Sequence, residues 1–379
     1  MINLKDISVV VQGAISKEET PKCLKSVRKI LPDAEVILST WEGSDVSALE
    51  GLYDVLLLNK DPGAGIIFKT ETTTKYNNVN RQIVSTKEGL KKATRTYAMK
   101  IRSDSILSSS DFLKYFDLYP KTDEKYKVFN HKILAATVAT RFGFDDYIEG
   151  NRIKPIKLAF HVSDWWFFGL KEDLIKYFDT ELVKEPEFSS YYKLDENKDK
   201  FNPYIYLEET YLRFAAEQYI ALECFRKNTG EIHAEHAGDV PDELTEKSRK
   251  YLINNFIFLE YGQSGIFFNK YQVAKLNWLS PAYFDLYNRF RQEYEYKKYC
   301  DNEYRINNLT KYVITDKNFR NDMTKLLMHF QRAIGRKCKN HNQIIEIFIT
   351  GILAGCYVIK HIKFVVLYIV NRIFGRKKI

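Results

Sequence analysis

The sequence has no cysteines placed to make a disulfide framework or a zinc site. Its five, Cys23, Cys224, Cys300, Cys338 and Cys356, are widely scattered and include no C-x-x-C pair. That pattern suits a reducing cytoplasm. A strand-like segment begins at Ile7, leaving no room ahead of it for a signal peptide, so the chain is expected to stay on the cytoplasmic side. No internal repeat or low-complexity linker interrupts the 379 residues. Uninterrupted apolar stretches are also short. The longest, Ile347 to Ile359, has 13 residues, against the roughly 20 that a spanning helix needs.

Net charge is missing from most of the chain. The total is +9, yet residues 332–379 hold ten of the 58 Lys/Arg and one of the 49 Asp/Glu, which leaves 48 of each in residues 1–331. A nucleic-acid binder would spread basic residues over a folded surface that carries a recognition motif; none is present, and nucleic acid is excluded as a partner. Here the charge accompanies the most apolar segment, which points to an anionic membrane surface. On a helix of about 100° per residue, Asn342, Glu346, Thr350, Lys360, His361 and Asn371 fall roughly on one side, with Leu353, Tyr357 and Phe364 blurring the stripe. An interfacial helix or hairpin fits this pattern best. A tilted span and a buried core helix are the alternatives.

The 45% hydrophobic and 15% aromatic content can fill a large core. Ile7–Val11, Glu35–Ser39, Asp54–Leu58 and Tyr97–Ile101 read as short strands buried on both faces. They alternate with helices, one running from Pro21 past Leu31 and another from Asn78 to Ala93. This predicts an α/β fold, a Rossmann-like and mostly parallel sheet flanked by helices. Further on, Asp164–Leu170 reads as a strand and Leu207–Leu222 as a helix. The expected organisation is a catalytic domain over residues 1–240, a helical extension over 241–331 and the basic apolar tail over 332–379.

Ligands of parallel sheets sit beyond the carboxyl ends of the strands. The distinctive clusters lie there: Gln12-Gly13, Ser39-Thr40-Trp41-Glu42-Gly43, Asp61-Pro62-Gly63 and Arg102-Ser103-Asp104. An acidic pair at such a strand end can hold Mg²⁺ or Mn²⁺ against phosphate oxygens. Here arginine stands at the first position of the triplet. Arg102 can bind phosphate bidentately, leaving Asp104 to ligate a metal alone or to hydrogen-bond a ribose. Trp41 either lines the same pocket or caps the core.

Five strings in order, DISVVVQGAI, VILSTWEG, DPG, NVNRQIVSTKEGLKKA and YAMKIRSD, resemble the WavE lipopolysaccharide-synthesis family, which is similar to GT-A-type glycosyltransferases. The resemblance covers roughly residues 5–240. It implies that Gln12 and Gly13 lie near the nucleotide base and that Asn80 and Arg81 face the nucleotide. The segment His161-Val162-Ser163-Asp164-Trp165 is similar to the family's His-x-Ser-Asp-Trp. By that resemblance Asp164 binds the acceptor or acts as general base, and Trp165 offers a stacking platform. Strand alternation would put His161 and Ser163 on one face and Asp164 on the other; a hydrogen-bonded structural role suits His161 better than a catalytic one. Tyr206 to Tyr211 resembles the family's Pro-Glu-Gln-Tyr segment without its proline and glutamine, and Glu209 takes the acidic position, as base or as helix cap. His233, Glu235 and His236 lack a further ligand nearby and read as a loop.

Together these features predict an enzyme moving a sugar from a nucleotide-activated donor to a lipid-linked glycan at the cytoplasmic face of the inner membrane. Two other classes compete. A sugar nucleotidyltransferase would carry a G-x-G-T-R-x-x-P-x-x-K loop after the first strand, and Gln12-Gly13-Ala14-Ile15-Ser16 does not match it. A non-catalytic assembly protein of the same pathway would explain the lost carboxylate at Arg102.

Overall fold

A computed structural model describes residues 2–69, 74–138, 140–148, 151–184, 216–230, 232, 242–268, 289–316, 319, 322, 326 and 341–374. Chain order begins with β1 (Ile7–Gln12), α1 (Glu19–Ile30), β2 (Glu35–Trp41) and β3 (Val55–Asn59). A hairpin, β4 (Gly65–Lys69) and β5 (Thr74–Asn77), leads into α2 (Val79–Lys92), β6 (Tyr97–Arg102) and β7 (Ile106–Leu107). The middle holds β8 (Ile133–Ala136), a second hairpin of β9 (Arg141–Ile148) and β10 (Asn151–His161), β11 (Trp166–Leu170) and α3 (Lys171–Phe178). Then come α4 (Ala216–Thr229), α5 (Asp242–Asn255), β12 (Phe256–Leu259), α6 (Tyr261–Ser264), β13 (Ile266–Phe267), α7 (Arg289–Tyr299), α8 (Asn308–Thr315), α9 (His341–Lys360) and α10 (Ile362–Phe374).

Seven strands form one sheet in the order β12-β8-β11-β6-β1-β2-β3. All neighbours are parallel except β11, which runs antiparallel to both β6 and β8. The expected mostly parallel α/β sheet is therefore present. Its centre is apolar because both faces are covered. Val10 and Ile37 face α2 residues Val79, Ile83 and Leu90, while Ile7, Val9 and Val11 face α1 residues Cys23, Leu24 and Val27. Contact on the α2 side is very close. A Cβ added at Gly89 would lie 2.3 Å from Val10 Cγ1, so this helix position requires glycine.

Two expectations are redrawn. The strand expected from Asp164 begins at Trp166, because residues 162–165 form the non-strand link and bend between β10 and β11. That bend removes the alternation that would have set His161 and Ser163 against Asp164. The sheet also takes its edge strand from β12, beyond residue 240: the apolar run Phe256–Leu259 pairs in parallel with β8, and α5 provides the approach. The tail, expected as an interfacial helix or hairpin, consists of two helices over its described residues. It breaks at His361, and the segments Gly351–Lys360 and Ile362–Val370 meet at 82°. Among the described residues no single helix is long and apolar enough to cross a membrane. The helix expected over 207–222 is seen from Ala216 onward, and its first part lies outside the described residues.

Candidate functional site

The carboxyl ends of β1, β2 and β6, with the segment after β3 and the start of α2, enclose a cleft of about 650 Å³. Backbone ties hold its floor. The Ser103 amide donates to the Gln12 carbonyl at 2.9 Å, the Gly13 amide to the Ser39 carbonyl at 3.1 Å, and the Ser103 hydroxyl to the Ala14 carbonyl at 2.7 Å. Gly13 turns the chain out of β1 at φ 117°, and a Cβ there would meet Ser103 Oγ at 3.3 Å. Only glycine adopts that backbone without strain. The buried Gln12 side chain accepts from Ser85 Oγ at 2.6 Å, so α2 fixes its orientation.

Two arginines face this cleft, each gripped by an aspartate that also lines it. Arg102 donates from Nε and Nη2 to the two oxygens of Asp104 at 2.9 and 2.8 Å. Its Nη1 lies 3.7 Å from Asp164 Oδ2, and its guanidinium stands 5.6 Å from the centre of the Phe268 ring. Arg81 donates to both oxygens of Asp61 at 2.8 and 2.7 Å and to Asn78 Oδ1 at 3.1 Å. Hydrogen bonding from Arg81 holds the Asp61 carboxyl below the ordinary carboxylate range, and the Gly63 amide adds to this. Such two-point pairs fix the guanidinium planes and leave their remaining N–H groups directed by geometry. Gln82, one turn beyond Asn78, brings a buried amide nitrogen that has no hydrogen-bond partner among the described residues. Buried polar groups rarely stay so unless something completes them.

Lys100 is fully buried behind the site and does not line it. Its ammonium donates to the backbone carbonyl of Asp164, so β6 holds the bend that presents Asp164 to the cleft. Cys23 lies behind Arg102, and burial pushes its thiol up to about 12, which leaves it unreactive.

Of the residues singled out from sequence, Gln12, Gly13, Trp41, Arg81, Arg102, Asp104 and Asp164 meet in this cleft. Asn80 points elsewhere: its amide donates to the Val183 carbonyl and accepts from the Val183 amide, both at 2.8 Å, which anchors the segment after α3. His161 and Ser163 are buried away from the cleft, and Ser163 shares hydrogen bonds with Thr140 and Trp165. Trp165 packs on Phe268 with ring centres 4.1 Å apart and is too buried to stack on a sugar. It acts on the site through Phe268, against which Arg102 rests. Glu209 with the rest of 206–211, and His233, Glu235 and His236, lie outside the described residues. Sequence reasoning missed Asn78, Gln82, Ser16 and Phe268. The i, i+4 spacing of Asn78, the N-cap of α2, and Gln82 in its first turn was a usable signal, whereas nothing local connects Phe268 to Arg102.

The carboxylates described in the cleft are engaged by arginine or lie beside one. Both Asp104 oxygens are engaged by Arg102, both Asp61 oxygens by Arg81, and Asp164 lies beside Arg102. A cation on Asp104 would sit against a guanidinium of like charge. Among the described residues no three His, Cys, Asp or Glu are grouped to hold a metal.

No curated protein matches the sequence. Among solved structures, residues 1–349 of S. aureus TarS align over 88% of this chain and 93% of that one, at 12% identity and a TM-score of 0.29. The 4-diphosphocytidyl-2C-methyl-D-erythritol synthase of Anaerococcus prevotii aligns over 49% of this chain and 82% of that one, at 16% identity and a TM-score of 0.27. Similarity this low bears on no residue and no substrate. The family match is of a different order, since it runs from residue 7 to residue 329 and takes in every side chain of the cleft. The chain belongs to the WavE lipopolysaccharide synthesis family.

Proposed function

We propose that the chain is a glycosyltransferase of cell-surface polysaccharide synthesis, moving a sugar from a nucleotide-activated donor to a lipid-linked glycan. The observation that carries this is the pair of clamped guanidiniums, Arg81 and Arg102, opening on one cleft at the carboxyl ends of parallel strands. Sugar transfer breaks the bond between the anomeric carbon and a phosphate oxygen, so negative charge grows on the departing nucleotide. A preorganised cation that needs no reorientation stabilises that charge best. Arg102 and Arg81 fill this role, with Asp104 and Asp61 holding them in place. Gln12 and Gln82 offer amides for the base or ribose.

The incoming acceptor hydroxyl forms the new bond to the anomeric carbon and gives up its proton. Asp164 is the base in this reading: it lines the cleft, its Oδ2 lies 3.7 Å from Arg102 Nη1 at the phosphate end, and it stands at the acidic position of the His-x-Ser-Asp-Trp segment. The phosphate charge is met by arginine, so the reaction runs without Mg²⁺ or Mn²⁺. The acceptor is anchored in a bilayer, and the basic apolar tail brings the catalyst to the cytoplasmic face of the inner membrane. Confinement to that surface raises the effective concentration of acceptor.

The test uses purified protein with radiolabelled UDP-, GDP-, dTDP- and CMP-sugars and a bacterial lipid extract. One donor is expected to yield labelled lipid, and Asp164→Asn should abolish transfer while still binding that donor. A wild-type protein that binds nucleotide sugars but never transfers or hydrolyses them would favour a non-catalytic assembly role. Full activity in Asp164→Asn would remove Asp164 from the mechanism.

A further inference from the structure

The bend between α9 and α10 has no cause in its own residues. Helices kink at proline, at glycine or serine pairs, or where a side chain intrudes, and the break here reads Lys360-His361-Ile362. The cause lies in what His361 touches. It is 4% exposed, its Nε2 is 2.8 Å from Asp322 Oδ2, and its Nδ1 is 3.1 Å from the Tyr312 hydroxyl. Lys360 Nζ reaches the same Asp322 oxygen at 2.6 Å. The His361 ring also meets Phe319 edge-on, with centres 5.3 Å apart. Asp322 thus draws the break of the tail into the extension and holds it there.

That clamp sorts the two faces of the tail. Tyr357, Phe364, Leu367 and Tyr368 turn inward with His361 and pack on the cluster of Leu309, Val313 and Phe319. Ile352, Val358, Ile359, Ile362, Val366 and Ile369 are left exposed, Ile359 at 77%. An apolar face of this extent marks an interaction surface. Its chemistry identifies the partner, for the segment 332–379 that carries it holds ten basic residues and one acidic one. An exposed aliphatic face on a segment of this charge matches an anionic lipid surface.

Length makes the clamp decisive. Straightened, Gly351–Val370 would extend about 30 Å at 1.5 Å per residue, which equals the hydrocarbon thickness of a bilayer. Bent by 82°, the apolar segments Gly351–Lys360 and Ile362–Val370 no longer form one rod, and the first half of α9 cannot extend the former into an apolar span because it carries His341, Asn342, Gln343 and Glu346. We propose that the Asp322–His361–Lys360 clamp determines membrane topology, keeping α9 and α10 as an L-shaped foot in one leaflet of an anionic bilayer. The outer aliphatic face enters the acyl boundary, and the C-terminus stays on the same side as the cleft. This rests on the reading that the tail meets the membrane, and not on the sugar chemistry.

The full chain with a C-terminal epitope tag would be made by cell-free synthesis beside preformed vesicles of phosphatidylcholine, with or without phosphatidylglycerol. Wild type is expected to float with the anionic vesicles and to lose its tag to added protease. Asp322→Asn should protect a substantial fraction of the tag, and Lys360→Gln/His361→Gln should do so from the other side of the clamp. Nucleotide binding by each variant reports that the body is folded. A protected wild-type tag, or wild type that ignores anionic vesicles while still binding nucleotide, overturns the foot and leaves the sugar-transfer reading standing. If either folded variant keeps its tag fully cleavable, the clamp has no role in topology.

Discussion

Replacing Arg102 with lysine preserves its charge and removes its fork. In the native site the guanidinium holds both Asp104 oxygens at 2.9 and 2.8 Å while its Nη1 lies 3.7 Å from Asp164. Lysine cannot satisfy Asp104 at two points and also direct an N–H at phosphate. One charge-assisted hydrogen bond contributes about 1.5–3 kcal/mol. The side chain is 24% exposed, so the lower part of that range applies. A loss of about 1.5–2 kcal/mol corresponds to roughly tenfold to thirtyfold in Kd. Arg102→Ala should cost more, about a hundredfold, because the phosphate would then face Asp104 and Asp164 without their cation. Isothermal titration with the preferred nucleotide sugar, in EDTA, measures both variants. The Tm of Arg102→Lys should stay near wild type, since a partly exposed pair adds little to stability. A Kd for Arg102→Lys within twofold of wild type would refute the role given to the fork.

Three further outcomes follow from the packing. Gly89→Ala, stabilising by up to about 1 kcal/mol on an open helix, should here destabilise by about 1–3 kcal/mol, because its Cβ would overlap Val10 Cγ1; urea unfolding reads the sign. Asn80→Ala should destabilise by about 1–3 kcal/mol through the two Val183 backbone groups it strands, and leave donor Kd unchanged, whereas a nucleotide contact would show as weakened binding. Lys132 is pushed down to about 8 by burial, beside Cys300 Sγ at 3.9 Å and the Tyr296 ring at 4.7 Å. Its charged form is therefore disfavoured by folding, so native stability should rise between pH 8 and about 10.5. Lys132→Met should stabilise the protein below pH 8 by about 1–3 kcal/mol and flatten that rise in a series of denaturant melts.

The strands that build the cleft were legible because their signal is local. Ile7–Gln12, Glu35–Trp41, Val55–Asn59 and Tyr97–Arg102 are apolar runs ended by turn residues, and α2 keeps a clear apolar stripe. Motif order then brought seven of the chosen residues to one place. The misses involve long separations in the chain. Asn80 meets Val183 across 103 positions, and Asp322 reaches His361 across 39, with nothing in either neighbourhood to announce the partner. The hairpin β9–β10 was invisible because Arg141–Ile148 and Asn151–His161 mix charged and apolar residues without clean alternation. Arg102, by contrast, stood out in the sequence as a departure from the acidic triplet, and its grip on Asp104 gives that departure a physical meaning.

The most direct test of the central claim is a thermal-shift screen of the full chain against UDP-, GDP-, dTDP- and CMP-sugars in EDTA. A ligand that binds only the native state at about 100 times its Kd stabilises by roughly 2.7 kcal/mol. One nucleotide class is predicted to raise Tm with no added metal, and Arg102→Ala is predicted to lose that rise. A screen with no shift, a shift that needs Mn²⁺, or an undiminished shift in Arg102→Ala would contradict the account.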